Sequence, residues 1–222
     1  MFRKLIALFT ILTLSISSAW AIENPVNMLN NTIVKTQDDL VKNATMYSED
    51  PYKLLALVDQ KIIPIVSPKV IAQLIVGTKK WKAATKADQD AFITSATEML
   101  TFMYAKNVAY AGKYKMTLFD FDKDNNSWKK KPIIVVNGKI TNIDNNKSSD
   151  FSVKMFKKDD KWHIYDFDVA GVSILRTYKE QFKSYANVSD MIKAANKVTT
   201  RIKKKNYPKL LNKDYKLKNL DD

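Results

Sequence analysis

The sequence contains no cysteine and only one histidine, His163, among its 222 residues. Without cysteine the chain can form no disulfide, no thiol nucleophile and no thiolate metal site. Because no second histidine or thiolate can accompany His163, a transition-metal site is not credible. We therefore interpret His163 as a structural residue and predict that the protein binds no metal and uses no cofactor.

Glycine and proline are also scarce, with 4 and 6 residues respectively. The chain accordingly has little flexible linker, and its hydrophobic content of 45% is sufficient for a sizeable core. The few glycines form neither a P-loop nor a dinucleotide-binding motif. Ser173 follows Gly171 at a predicted strand-to-helix turn, but Leu175 occupies the position of the second glycine of a nucleophile elbow. A helix N-cap explains Ser173 better, and we predict no catalytic residue.

Acidic residues are outnumbered, since 37 lysines and arginines against 23 aspartates and glutamates give a formal net charge of +14. Such a surplus favours anionic partners, which include nucleic acid, anionic lipid surfaces and acidic proteins. The chain has no zinc-finger, helix-turn-helix or RNA-recognition pattern, so we predict that it does not bind nucleic acid. The lysines are scattered along the chain, which indicates a general electrostatic field rather than one binding groove.

The first 21 residues have the pattern of a secretory signal peptide. Arg3 and Lys4 provide the positive start, Leu5 to Ile16 form the apolar core, and Ala19-Trp20-Ala21 is an A-x-A cleavage site. The apolar run is shorter than the roughly 20 residues that a membrane span needs. We therefore predict cleavage after Ala21 and export of the remaining chain, in preference to an uncleaved membrane anchor.

Helix start signals dominate the first half of the chain, and strand signals follow. Three dipeptides combine an N-cap residue with proline at the first helical position: Asn24-Pro25, Asp50-Pro51 and Ser67-Pro68. A capping box at Thr85 to Asp88 precedes the longest helical pattern. From Tyr114 the hydrophobic period changes to two, which predicts four strands: Tyr114–Phe121, Pro132–Ile143, Asp150–Lys157 and Trp162–Val169.

These elements predict an α+β fold in a single domain over residues 22–207. Helices over about 24–111 precede an antiparallel four-stranded sheet over about 114–169, and helices over about 172–204 follow it. The charged residues 208–222 are predicted to form a loose tail. Asn137-Gly138 is ambiguous, because it fits either a tight hairpin turn or a bulge within one long strand.

Two blocks of sequence resemble the MlaC/toluene-tolerance family, and the resemblance extends over nearly all of the chain after residue 21. The C-terminal block comprises Trp162, Tyr165-Asp166, Val169, Gly171-Val172-Ser173, Tyr178 and Gln181-Phe182. The earlier block comprises Leu74-Ile75-Val76-Gly77, Trp81 and Ala84-Thr85. The turn at Lys158-Asp159-Asp160 departs from the family pattern, because it lacks the expected glycine. Among the two readings of Asn137-Gly138, the resemblance favours one long strand with a bulge.

The resemblance implies an NTF2-like curved sheet and a helical subdomain, with an apolar lipid cavity between them. It further implies a periplasmic phospholipid-binding carrier that shuttles lipid between the outer and inner membranes in a lipid asymmetry pathway. The implied partners are phospholipid, the lipid-binding subunit of an inner-membrane ABC transporter and an outer-membrane lipoprotein complex, with transient proximity to membranes. The alternatives are an NTF2-like periplasmic enzyme and a structural subunit without bound lipid. We predict that the protein is not an enzyme, because a fold that hosts catalysis in other proteins does not by itself give this chain an activity.

Apolar residues at helical and strand spacing are the candidates for the cavity wall. On spacing alone, such residues more often form a core than line a ligand site. The resemblance places these segments against the lipid tails, which leads to the following predicted lining: Ile71, Leu74, Ile75, Met99, Phe102, Met103, Val108, Val136, Phe151, Val153, Phe167, Val169, Val172, Leu175 and Phe182. Asp166 and Asp168, two residues apart on one strand, are interpreted as an exposed face or as partners of nearby lysines rather than as an acid/base pair.

Overall fold

The computed structural model describes residues 23–121 and 126–218, so the predicted signal peptide and its cleavage site after Ala21 lie outside the described residues. The α-helices in these ranges are α1 (Pro25–Lys42), α2 (Ala44–Glu49), α3 (Pro51–Leu57), α4 (Pro68–Val76), α5 (Thr78–Ala83), α6 (Lys86–Tyr104), α7 (Ile174–Phe182) and α8 (Val188–Asn206). The strands are β1 (Tyr114–Leu118), β2 (Ile133–Asn142), β3 (Ser148–Lys158), β4 (Lys161–Val169) and β5 (Val172–Ser173).

The four helix starts that are predicted in the first half of the chain have the expected capping hydrogen bonds. The side chains of Asn24, Asp50, Ser67 and Thr85 accept hydrogen bonds from backbone N–H groups of the first turn, at 2.8, 3.0, 3.4 and 3.1 Å. These bonds satisfy donors that an isolated helix end leaves unpaired. The apolar spacing after Asn24-Pro25 predicts one helix to about Met46, but the chain ends α1 and starts α2 at Asn43.

The sheet has five strands in the order β1 to β5, not the four that the sequence predicts. The additional strand arises because Ala170 and Gly171 adopt positive φ angles of 52° and 81°, which reverse the chain within two residues. Val172 therefore pairs with Val169, and α7 begins only at Ile174. All pairs in the sheet are antiparallel, as expected.

The strand β2 continues through Gly138, so the hairpin reading of Asn137-Gly138 is wrong and the long strand is confirmed. No bulge occurs at this glycine, because its register with both neighbouring strands is continuous. The residue is glycine for a different reason. A Cβ atom there would lie 2.5 Å from the Thr117 carbonyl oxygen and 2.6 Å from the Phe151 ring, which is too close for any side chain.

The bulge of this sheet lies instead in β4. Lys154 pairs with Asp166 and the next residue, Met155, pairs with Ile164, which leaves Tyr165 as the extra residue. A bulge shifts the alternation of side chains between the two faces by one residue. Trp162 and Ile164 therefore lie on the same face of the sheet as Phe167 and Val169. A pattern that alternates without interruption in the sequence is thereby broken in the sheet.

Helices cover the sheet and form a second layer beside it. The inner face of the sheet packs against α1 in one core, with Val136, Phe151 and Val153 among its buried residues. A second core lies between α4, α6, α7 and α8. The two parts meet at β4, where Ser67 N–H donates to the Ile164 carbonyl oxygen at 3.1 Å.

Residues 208–218, which the sequence predicts to be loose, are packed against the helical part. We call this segment the C-terminal strap. Tyr215 donates to Asp59 Oδ2 at 3.0 Å, and the Lys218 N–H donates to the same oxygen at 2.9 Å. Tyr215 also stacks on Tyr52, with ring centroids 6.5 Å apart. Two kinds of contact hold the strap in place. Its apolar side chains pack against the buried cluster that contains Tyr52 and Phe102, and its backbone donates to the buried Asp59 carboxylate.

The attachment of the strap is expected to weaken at alkaline pH. Burial, and secondarily the hydrogen bond to Asp59, raises the pKa of Tyr215 to about 12. Because an unfolded tyrosine titrates near pH 10, the stability from Tyr215 is complete below about pH 10. It is lost as the pH rises through about 12. Urea unfolding of the wild type and of Tyr215→Phe should show a stability difference that shrinks over this interval; a constant difference would contradict the prediction.

Candidate functional site: two adjoining apolar cavities

Two cavities adjoin each other along the segment formed by residues 58–65. The first, which we call the helical cavity, lies between α3, α4 and α6 and has a volume of about 330 Å³. The second, which we call the sheet cavity, lies between α1 and the inner face of the sheet and has a volume of about 700 Å³. Val58 and Ile63 line the helical cavity, whereas Ile62 lines the sheet cavity, so this segment forms the partition.

The partition is an irregular piece of helix. The chain forms a π-helical turn over Val58–Ile62 and a 3₁₀ turn over Ile63–Ile65. Pro64 has no N–H group and its ring opposes a regular helix, which accounts for the change in hydrogen bonding at this point. Neighbouring residues of the partition consequently face different cavities. The same segment carries the buried Asp59, which the C-terminal strap contacts.

The wall of the helical cavity is almost wholly apolar. One stripe of α6 and one face of α4 supply most of it: Phe92, Ile93, Ala96, Leu100, Pro68, Ile71, Ala72 and Ile75. Thr97 and Thr101 also line the cavity, but their hydroxyl groups donate to carbonyl oxygens one turn back along α6, at 2.8 and 2.9 Å. These two hydroxyl groups therefore make no demand for hydrogen bonds from an occupant, and Tyr104 supplies the remaining side-chain hydroxyl of the lining.

The sheet cavity has an apolar floor and a polar mouth. The floor consists of Ile33, Leu40, Ile62, Met116, Ile140 and Val169, and Thr36, Gln37, Ala111 and Tyr114 complete the lining beside it. The mouth includes Asn142, Asn145, Lys147 and Ser149 at the turn between β2 and β3. This separation matches the requirement of a molecule that has a hydrocarbon part and a polar end.

The predicted lining residues are distributed over cavities, core and surface. Ile71, Ile75 and Val108 line the helical cavity, and Val169 lines the sheet cavity. The remaining residues line neither of these cavities. Met99, Phe102, Val136, Phe151, Val153 and Phe182 are buried, and Phe167 and Leu175 are partly buried. Leu74, Met103 and Val172 are exposed, at 38%, 40% and 56% of their surface.

Several lining residues were not predicted, although their periodicity is visible in the sequence. They include Leu54, Val58 and Ile62 around the partition and Ile33 and Leu40 on α1. Their spacing at three and four marks an apolar helix face, as it does in any core. A face of this kind lines a cavity only where the element opposite stands too far away to fill the space.

Asp166 organises the junction between β4 and α7 beside the cavities. It is buried and accepts hydrogen bonds from Lys154 Nζ at 2.8 Å, Ser173 Oγ at 2.8 Å and the Leu175 N–H at 3.0 Å. Of the two predicted alternatives for Asp166, the link to a nearby lysine is confirmed and the exposed face does not apply. Burial alone would raise the pKa of Asp166, yet the bonds from Lys154, Leu175 and Ser173 outweigh it and hold the pKa below its usual value.

The structure gives no indication of metal chemistry in the described ranges. Within residues 23–121 and 126–218, no three histidine or acidic side chains lie close enough together to hold a metal ion. His163 lies on β4, where its ring stacks on Phe156 with centroids 5.5 Å apart. Ser173 is the N-cap of α7 and accepts from the Arg176 N–H at 3.0 Å, which confirms the capping role.

Comparison with known families matches residues 30–204 to the model of the MlaC protein. This chain belongs to the MlaC family. The match contains every residue that lines the two cavities and the whole of the Trp162–Phe182 block. It ends before the C-terminal strap, so the strap lies outside the segment that defines MlaC.

A solved structure shows the same fold as this MlaC chain. It is a phospholipid-binding protein from Ralstonia solanacearum in complex with a phospholipid. The two structures agree with a TM-score of 0.70 at 18% sequence identity, over 81% of this chain and 99% of that one.

Among the helices of the described ranges, none combines the length and the apolar composition that a bilayer span requires.

Proposed function

We propose that this protein is a periplasmic phospholipid-binding carrier whose two cavities hold the acyl tails. The observation that carries the proposal is the pair of adjoining apolar cavities within a chain of the MlaC family. The volumes, about 330 and 700 Å³, fall in the range of small-molecule sites. The similar fold of a protein that was solved with a phospholipid supports the same assignment.

The energetics of lipid transfer explain why such a protein needs closed apolar space. Two acyl tails contain about 30 methylene groups, and exposing each to water costs about 0.8 kcal/mol. Free passage through an aqueous compartment therefore faces a penalty on the order of 20 kcal/mol. A carrier must remove nearly all of this surface from water, and a wall without unsatisfied polar groups does so at no cost in hydrogen bonds.

The proposed tail contacts combine predicted and unpredicted residues. Ile71, Ile75 and Val108 would contact one tail, and Val169 with Met116 would contact the other. The partition of residues 58–65 would separate the two tails. The cavities are lined by no carboxylate and no histidine among the described residues, which favours binding over catalysis.

The wider role follows from the same proposal. The carrier would shuttle phospholipid between the outer and inner membranes in an ABC-transporter-linked asymmetry pathway. Its partners would be the lipid-binding subunit of the inner-membrane transporter and an outer-membrane lipoprotein complex. The curved, NTF2-like character of the sheet and export through the signal peptide, with cleavage after Ala21, belong to this proposal. The formal charge of +14 less the two charges of Arg3 and Lys4, that is +12 after cleavage, would steer the protein toward anionic surfaces.

Native mass spectrometry of protein purified without detergent tests the proposal. We expect the mass of the denatured protein to equal that of a chain that begins at residue 22. Under native conditions we expect an additional species that is heavier by the mass of one phospholipid, and this species should disappear on denaturation. The extracted lipid should be identified in the same preparation. Gentle preparations that contain no lipid, and that take up none from vesicles, would contradict the proposal.

A further inference from the structure

The mouth of the sheet cavity has a donor-rich lining with one cationic side chain. Lys147 is the only charged residue that lines either cavity in the described part of the chain. Asp144, in the same turn, is engaged by Lys113, with 3.1 Å between Oδ2 and Nζ. The Lys147 side chain is thus an exposed cation at the edge of an apolar space, with no acid in the lining to neutralise it.

The asparagines beside Lys147 are oriented by the backbone of the same turn. Asn142 Oδ1 accepts from the Asp144 N–H at 2.9 Å, and Asn145 Oδ1 accepts from the Lys147 N–H at 3.0 Å. Each bond uses one of the two lone pairs of its oxygen and holds the amide in place, and the NH₂ group of each side chain is its donor. The mouth therefore presents an ammonium group and two amide donors.

We propose that Lys147, with the amides of Asn142 and Asn145, forms a site for the phosphate diester of the bound lipid. The site favours anionic headgroups over zwitterionic ones. This inference rests on the proposed function, because tails in the cavities bring the glycerol and phosphate to the mouth. Phosphate oxygens accept hydrogen bonds only, so a mouth of donors is their chemical complement. A choline headgroup brings its own cation near Lys147, whereas a glycerol headgroup adds no positive charge.

Lipid uptake from mixed vesicles tests this site. The mature chain is incubated with vesicles of equal parts phosphatidylglycerol and phosphatidylcholine, separated from them, and extracted for mass spectrometry. The ratio of bound anionic to bound zwitterionic lipid should fall about fivefold in Lys147→Gln, and further in Lys147→Glu. Lys139→Glu is the matched control, since Lys139 is an exposed lysine on the opposite face of β2. It should leave the ratio within about twofold of the wild type.

The outcomes separate this inference from the proposed function. If the wild type binds lipid and Lys147→Glu has the same ratio as Lys139→Glu, the inference is wrong and the carrier function stands. If the wild type takes up no lipid, both are wrong. Calorimetric titration with inorganic phosphate forms a third arm. Binding of phosphate to lipid-free protein that Lys147→Gln abolishes would identify a free-phosphate site and overturn the headgroup assignment.

Discussion

Replacement of Asp166 with alanine is expected to lower the free energy of unfolding by about 2–4 kcal/mol. The Asp166 carboxylate joins β3, β4 and α7, because it accepts from Lys154, Ser173 and the Leu175 N–H at 2.8 to 3.0 Å. Removing it leaves the buried Ser173 hydroxyl and the backbone N–H without an acceptor and Lys154 without its counter-ion. Urea unfolding of the wild type and the variant near neutral pH measures the effect.

Asp168→Ala is the matched control for this prediction. Asp168 lies two residues further on the same strand and accepts one hydrogen bond, from the Gly171 N–H at 2.9 Å. Its loss should cost about 0.5–1.5 kcal/mol. A cost for Asp166→Ala no larger than that for Asp168→Ala would show that the network contributes little.

The same carboxylate gives the protein a defined sensitivity to acid. Because the pKa of Asp166 is lowered in the folded state, its stabilising contribution is complete above the unfolded value near 3.9. The contribution is lost as the pH falls through the lower folded value. The stability difference between the wild type and Asp166→Ala should therefore shrink below about pH 4, and a difference that grows on acidification would contradict this assignment.

Filling the helical cavity with Ala96→Phe is expected to lower the bound lipid per protein at least about tenfold. Ala96 lines the cavity from α6, and the added phenyl ring would occupy space that is otherwise about 330 Å³ of void. A tail excluded from this space would expose several methylene groups to water, and each exposed group costs about 0.8 kcal/mol. Because about 1.4 kcal/mol corresponds to a tenfold change in affinity, two exposed groups are enough for the expected loss. Lipid extraction and mass spectrometry measure the loss.

The fold should tolerate this change, since the new ring enters a void rather than a packed core. Ala87→Phe is the matched control because Ala87 is exposed in the first turn of the same helix. We expect it to retain the wild-type lipid content. Circular dichroism and thermal unfolding establish that both variants are folded. A folded Ala96→Phe protein with an unchanged lipid load would show that the helical cavity does not hold a tail.

Local elements of the fold were predictable, but features that depend on neighbouring segments were not. The N-caps at Asn24, Asp50, Ser67 and Thr85 act within their own first turns, so the sequence shows them directly. The fifth strand depends on left-handed conformations at Ala170 and Gly171, and alanine gives no signal for such a conformation. The glycine of β2 was visible, but its reason is the Phe151 ring of the adjacent strand.

The candidate site divides in the same way. The apolar periodicity of Ile71, Ile75 and Val108 identified residues that do line the helical cavity. The same periodicity also selected Met99 and Phe102, which are buried in packed cores, and Leu74, which is exposed. Nothing within α4 or α6 distinguishes these cases, because a helix face that meets a neighbour and one that stops short of it have the same composition.

By itself, the sequence determined the helix starts, the antiparallel order of the long strands and the family, since these depend on contacts within a few residues and on local motifs. Only the tertiary structure decided where apolar faces leave a space unfilled, how residues 58–65 divide that space, and that the strap attaches to Asp59. These features depend on distances between segments far apart in the chain, and such distances are set when the elements pack together.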